Sequence, residues 1–118
     1  MPNKIVAVLA DLMFTVRISD AAKRAGLQVE FAKTAADAEQ KADAAAAVIL
    51  DLNYVPADLI GRLKAGEHTR TIPLIGFVSH VQTDVIRQAR EQGCDQVMAR
   101  SAFVEKLPEM MQAFAATT

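Results

Sequence analysis

Two periods of apolar residues alternate along this chain. Residues 4–10, Lys4-Ile5-Val6-Ala7-Val8-Leu9-Ala10, form a nearly unbroken apolar run opened by a lysine. Short continuous runs of this kind, rich in β-branched side chains, suit strands covered on both faces. From Asp11 the spacing changes: Phe14, Ile18, Ala21, Ala22 and Ala25 recur at helical intervals, and Gly26 supplies a helix stop. Leu27-Gln28-Val29-Glu30-Phe31 alternates apolar and polar, which predicts a short strand with one face less deeply buried. Thr34 is placed to cap an alanine-rich helix over residues 35 to about 43, with Asp37 three positions on in an approximate capping box.

The longest apolar climb is Ala45-Ala46-Ala47-Val48-Ile49-Leu50, which ends on Asp51-Leu52-Asn53 and passes into turn-forming chemistry. Pro56 suits the first turn of a following helix, whose apolar face would be Leu59, Ile60 and Leu63 and whose end is Gly66. A polar loop over 67–71 leads to a fourth strand, Ile72-Pro73-Leu74-Ile75-Gly76-Phe77-Val78. Pro73 belongs near its entry, where a missing ladder hydrogen bond costs little. After Ser79-His80 a helix is predicted from Gln82 or Thr83 to Gly93, burying Val85, Ile86 and Ala89. Residues 95–99 read as a fifth strand. The last helix carries Leu107, Met110, Met111 and Phe114, and Pro108 predicts that its regular part begins near Leu107, after an irregular turn.

Five strands alternating with five helices over 118 residues imply right-handed βαβ units in one α/β domain, residues 1–118. The natural solution at this length is a flavodoxin-like, five-stranded parallel sheet of order 2-1-3-4-5 with helices on both faces.

Composition narrows the function. The chain is 52% hydrophobic and 23% charged, as expected of a soluble globular domain, and its apolar runs are too short to span a bilayer. Met1-Pro2-Asn3-Lys4 leads into the first strand without a signal-peptide pattern, so the cytoplasm is the expected address. Cys94 is the single cysteine, which excludes an intramolecular disulfide and reads as a small buried hydrophobe. A net charge of −1 predicts no affinity for nucleic acid or anionic membranes.

In open parallel sheets, chemistry collects at the carboxyl ends of the strands. Those ends are Leu9-Ala10-Asp11, Asp51-Leu52-Asn53, Val78-Ser79-His80 and Ala99-Arg100-Ser101. Asp51 either serves a site there or caps its own turn. Asp11 suits the N-cap of the first helix. His80 is either a solvated loop residue or a group that tunes the crevice near neutral pH. Glycine-rich phosphate loops and paired His or Cys ligand motifs do not occur, and no nucleophile–base pair can be identified, so substrate turnover is not expected.

Val48-Ile49-Leu50-Asp51-Leu52-Asn53 with Pro56, then Ile72-Pro73-Leu74-Ile75, then Gly93-Cys94-Asp95 occur in an order and spacing that resemble the CheY-like receiver domain of bacterial response regulators. The resemblance runs over essentially the whole chain. It implies that Asp51 stands at the phosphoacceptor position and that the carbonyl of Asn53 is a ligand for Mg²⁺. The two acidic residues usual at the first strand end correspond to Leu9 and Ala10, leaving Asp11, one position later, as a displaced candidate ligand. The family's hydroxyl position is Val78, with Ser79 beside it; its lysine is Arg100, its proline Ser101, and its aromatic switch position Val97. Mg²⁺ binding is therefore expected to be weak or absent, with Arg100 and Asp51 forming a standing ion pair in place of phosphate or metal.

The resemblance thus implies an atypical receiver in two-component phosphorelay signalling, binding a sensor histidine kinase or a downstream regulatory protein. The alternative is a phosphate-independent pseudo-receiver that docks or dimerises through the fourth helix, fifth strand and fifth helix, using exposed parts of Met110, Met111 and Phe114. An anti-sigma-factor-antagonist-like module is a third reading, weakened because Tyr54-Val55-Pro56 offers no serine at a helix start.

Overall fold

A computed structural model describes residues 3–79 and 82–116. The elements alternate as expected: β1 (Lys4–Val8), α1 (Leu12–Arg24), β2 (Gln28–Ala32), α2 (Ala35–Ala42), β3 (Ala47–Asp51), α3 (Leu59–Ala65), β4 (Leu74–Val78), α4 (Thr83–Gln92), β5 (Gln96–Ala99) and α5 (Arg100–Ala116). All strand pairs are parallel, in the order β2-β1-β3-β4-β5.

The period of two along each strand divides the core between the sheet's faces. Val6, Val8, Val48, Leu50, Leu74 and Val78 pack under α2, α3 and α4, with Leu59, Ile60, Leu63 and Ala89. Ile5, Ala7, Ile49, Ile75 and Phe77 pack under α1 and α5, with Phe14, Ile18, Phe103, Leu107 and Met111. At the centre of this second layer, the rings of Phe14, Phe77 and Phe103 have centroids 4.8, 5.6 and 4.9 Å apart. Burying each such ring contributes roughly 1.5–3 kcal/mol. Val85, Ile86 and Val97 are partly buried against the first layer.

Local chemistry explains most boundaries. Thr34 caps α2, its Oγ1 accepting from the Asp37 N–H at 3.1 Å. The Asp37 carboxylate turns instead to Lys41, 3.1 Å away. Gly93 ends α4 with φ +106°, a left-handed conformation that other residues adopt at a cost.

Several boundaries differ from the sequence-based expectation: β2 runs one residue later, at Gln28–Ala32, β4 begins at Leu74 after Pro73, β5 begins at Gln96, and three further differences have a visible cause or consequence. β1 ends at Val8, two residues short of Ala10. Pro56 lies in a turn, not in the first turn of α3, which starts at Leu59 after Asp58. The Asp51 carbonyl accepts from the N–H groups of both Tyr54 and Val55, closing one turn, and the Pro56 carbonyl accepts from the Leu59 N–H, opening a second that leads into the helix. The last helix is continuous from Arg100 and contains Pro108, in place of an irregular turn ending near Leu107. Pro108 is exposed, and it leaves the Val104 carbonyl without its helical donor. No residue separates β5 from α5: Ala99 is the last of the strand and Arg100 the first of the helix. Among the described residues, no helix is long and apolar enough to cross a membrane.

Candidate functional site

Asp51 is the last residue of β3, in register with Phe77. By the alternation of the strand it continues the phase of Ile49, towards the α1–α5 side. Its Oδ1 accepts from the Asn53 N–H at 3.0 Å, closing an Asx turn. Of the two roles considered for Asp51, that of turn former is filled by this hydrogen bond. Desolvation by burial raises its pKa above the ordinary value. The Asn53 N–H and the charge of Arg100 oppose that rise, and the charge of Asp11 adds to it.

Asp11 is the N-cap of α1, accepting from the Phe14 N–H at 3.1 Å through Oδ1. Its other oxygen accepts from Arg100 Nη2 at 2.9 Å. The backbone hydrogen bond from Phe14, then that from Arg100, holds the Asp11 pKa below the ordinary 3.8. Arg100 also lies over the Phe14 ring, with Cζ 4.4 Å from the centroid, a favourable cation–π distance. The expected Arg100–Asp51 pair is thus replaced by Arg100–Asp11. The cap fixes the Asp11 carboxylate, and the ring directly beneath fixes the guanidinium against it.

Asn53 bridges two loops. Its side-chain carbonyl accepts from the Ser79 N–H at 2.7 Å, and its amide group reaches Gln82 Oε1 at 3.4 Å. Gln92 makes a second bridge, accepting from the Gly61 N–H at 2.9 Å and donating to the Ala57 carbonyl at 2.7 Å. Neither bridge has a local signature in the sequence, because the partners lie 26 to 35 positions apart.

The remaining candidates are placed as follows. Val78 is buried in the layer beneath α3 and α4, with Val97 partly buried beside it, so the position compared to a hydroxyl is apolar and faces away from the Asp51 side. Ser79 is exposed at the end of β4. Ser101 is exposed in the first turn of α5. Leu9 is buried, whereas Ala10 is exposed. His80 lies outside the described residues. Cys94 is buried, and desolvation pushes its thiol up to about 11. Among the described residues, no group of three or more His, Cys, Asp or Glu side chains could hold a metal ion. A cation drawn to Asp11 would have to displace the guanidinium already there.

One surface feature escaped the sequence reading. The exposed large hydrophobics are Leu12 (78%), Met13 (74%), Val16 (63%) and Tyr54 (42%). The first three lie on α1 off the Phe14-Ile18-Ala22 stripe, a phase visible in the sequence. By contrast, Met111 is buried and Met110 and Phe114 are partly buried in the core, so that stripe is packing.

No family model matches this chain, and no curated protein matches it. Solved structures do. The receiver domain of the sensor histidine kinase PA1611 from Pseudomonas aeruginosa, solved with a magnesium ion in its active-site cleft, is 16% identical with a TM-score of 0.79, covering 98% of this chain and 99% of that one. The chemotaxis response regulator CheY4 of Vibrio cholerae is 18% identical with a TM-score of 0.77, covering 97% and 99%. A response regulator from Hahella chejuensis is 16% identical with a TM-score of 0.80, covering 95% and 94%. Over nearly its whole length, this chain has the fold of CheY-like response-regulator receiver domains.

Proposed function

We propose that this chain is a receiver-like module of two-component phosphorelay signalling that acts by protein–protein interaction, with Asp51 at the phosphoacceptor position of a site whose phosphorylation chemistry is degenerate. The observation that carries this reading is the Arg100–Asp11 pair. Phosphoryl transfer to a carboxylate needs positive charge focused on the phosphoryl oxygens. Here the cation and the second carboxylate whose charges act on Asp51 are paired with each other, and the donor set does not fit a hard divalent ion, which requires several oxygens in near-octahedral geometry. No step is assigned to Mg²⁺, and no substrate is turned over.

The partner in this reading is a sensor histidine kinase or a downstream regulatory protein in the cytoplasm. Leu12, Met13, Val16 and Tyr54 support a recognition surface at the Asp51 end of the sheet. They favour that end over dimerisation through α4, β5 and α5, where Met110, Met111 and Phe114 are used by the core.

Intact mass after incubation with acetyl phosphate and Mg²⁺, for the wild type and Asp51→Asn, tests the proposal. Trace or no adduct is expected. A stoichiometric, Mg²⁺-dependent phosphate adduct that disappears in Asp51→Asn would replace this reading with that of a working receiver.

A further inference from the structure

A groove of about 280 Å³ lies between α1 and α5, and none of the strand-end residues described above lines it. Both helices follow strands of one parallel sheet and so run in the same direction. Arg17 and Val104 therefore share one end of the groove, and Arg24 and Gln112 the other. Ala21, Leu107 and Pro108 form an apolar floor between them. Asp20 is paired with Arg24 at 3.3 Å, whereas Arg17 is exposed and makes no ion pair among the described residues. Glu105, next to Val104 in sequence, does not line the groove, so its lining carries one positive charge in excess. The groove also holds a backbone acceptor. Pro108 has no N–H, which leaves the Val104 carbonyl without its helical donor. A helical carbonyl points along the axis towards the residue four positions on, and Val104, Leu107 and Pro108 all line the groove. That carbonyl therefore lies in the groove wall, at the end where Arg17 stands.

We propose that this groove binds a small N-acylated amino acid with an apolar side chain. The Arg17 guanidinium takes the carboxylate as a charge-assisted pair, and one excess positive charge matches a monoanion. The N–H one carbon away from that carboxylate donates to the Val104 carbonyl, which a ligand without a donor would cover and leave unsatisfied. The ligand's side chain lies on Ala21, Leu107 and Pro108. A second carboxylate would find no free cation, because Arg24 is taken by Asp20. The volume is close to the lower end of small-molecule sites. The site is separate from Asp51, and it does not depend on the reading given above.

The test is an amide and arginine-side-chain NMR titration with N-acetyl-leucine, repeated with its methyl ester and with the acid methylated on nitrogen. Saturable shifts at Arg17, Ala21, Val104 and Leu107 are expected at millimolar N-acetyl-leucine. The ester and the N-methyl acid should each bind about tenfold more weakly, the usual consequence of losing one such hydrogen bond. Arg17→Gln should bring the acid down to the affinity of the ester. Pro108→Ala restores a helical N–H to the Val104 carbonyl and so occupies the acceptor; in that variant N-acetyl-leucine should bind no better than its N-methyl analogue. Both substitutions fall on exposed positions. The proposal is overturned by no saturation, by shifts centred on Asp51 and Asn53, by an ester that binds as tightly as the acid, by full affinity in Arg17→Gln, or by a cost of N-methylation that persists in Pro108→Ala.

Discussion

Arg100 Nη2 donates to Asp11 Oδ2 at 2.9 Å, joining residues 89 positions apart. The guanidinium holds the Asp11 oxygen that a competing cation would need. Arg100→Ala should therefore free the Asp11 carboxylate and raise Mg²⁺ affinity severalfold over the wild type, read by isothermal titration or by amide shifts near Asp51. Equal affinities would show that the guanidinium does not compete with a metal. The pair should also persist into acid. Because the folded-state pKa of Asp11 is lowered, its stabilising contribution is complete above the ordinary 3.8 and is lost only as pH falls through the lower value.

Asp51 has the opposite sign. Burial raises its pKa, so the folded state binds more protons than the unfolded state just above 3.8, and stability falls as pH rises through the raised value. Asp51→Asn keeps an oxygen for the Asn53 N–H and removes the charge. The variant should be more stable than wild type at pH 7, with the difference closing as pH falls below 3.8. Urea denaturation at several pH values measures this. A variant less stable at neutral pH would mean that the carboxylate contributes attraction that outweighs its desolvation.

Gln92 ties the C-terminal end of α4 to α3 and to the turn before it. Gln92→Ala removes both hydrogen bonds and leaves the Gly61 N–H, near the start of α3, without its side-chain acceptor. A loss of about 1–2 kcal/mol is expected, with faster amide exchange at Gly61 in particular. Uniformly faster exchange would indicate global destabilisation instead of release of the bridge.

Gly76 lies in β4 where an added Cβ would come within 2.7 Å of Leu52 Cδ1. Gly76→Ala should cost about 1–3 kcal/mol through overpacking. Leu52→Ala creates a void of its own, yet the double variant should lose clearly less than the sum of the two single losses. Simple additivity would show that the clash is relieved elsewhere.

Cys94 Sγ faces the Leu74 and Gln96 carbonyls at 3.5 and 3.2 Å, and with its pKa pushed up to about 11 it stays a thiol at neutral pH. Alkylation of the native protein should be slow and should accelerate with urea in step with unfolding. Rapid native-state alkylation would place the sulfur in solvent.

The fold was legible because parallel-sheet strands are buried on both faces and so read as apolar runs. The apolar runs over 4–10, 45–50 and 72–78 could hardly be anything else, although the first strand stops at Val8. The start of α5 was obscured by Pro108, which the helix accommodates in its interior because Phe103, Leu107 and Met111 are buried on both sides of it. Within the candidate site, the sequence indicates which strand ends adjoin, and hence that Asp51, Asp11 and Arg100 gather. It does not indicate which carboxylate the arginine selects. That choice rests on the Phe14 ring beneath the guanidinium and on the Asp11 cap beside it, both fixed by the phase of α1. Asn53 and Gln92 were likewise unreadable as bridges, since nothing near them in sequence distinguishes a bridging amide from a solvated one.

The direct junction of Ala99 and Arg100 carries a last consequence. Since each residue turns an α-helix by about 100°, a single residue inserted there would rotate all of α5 relative to the sheet. The guanidinium would leave the Phe14 ring, and Phe103, Leu107 and Met111 would leave the core together. Charge placement and hydrophobic burial are thus geared to one rotational setting, so this corner tolerates changes of side chain far better than changes of length.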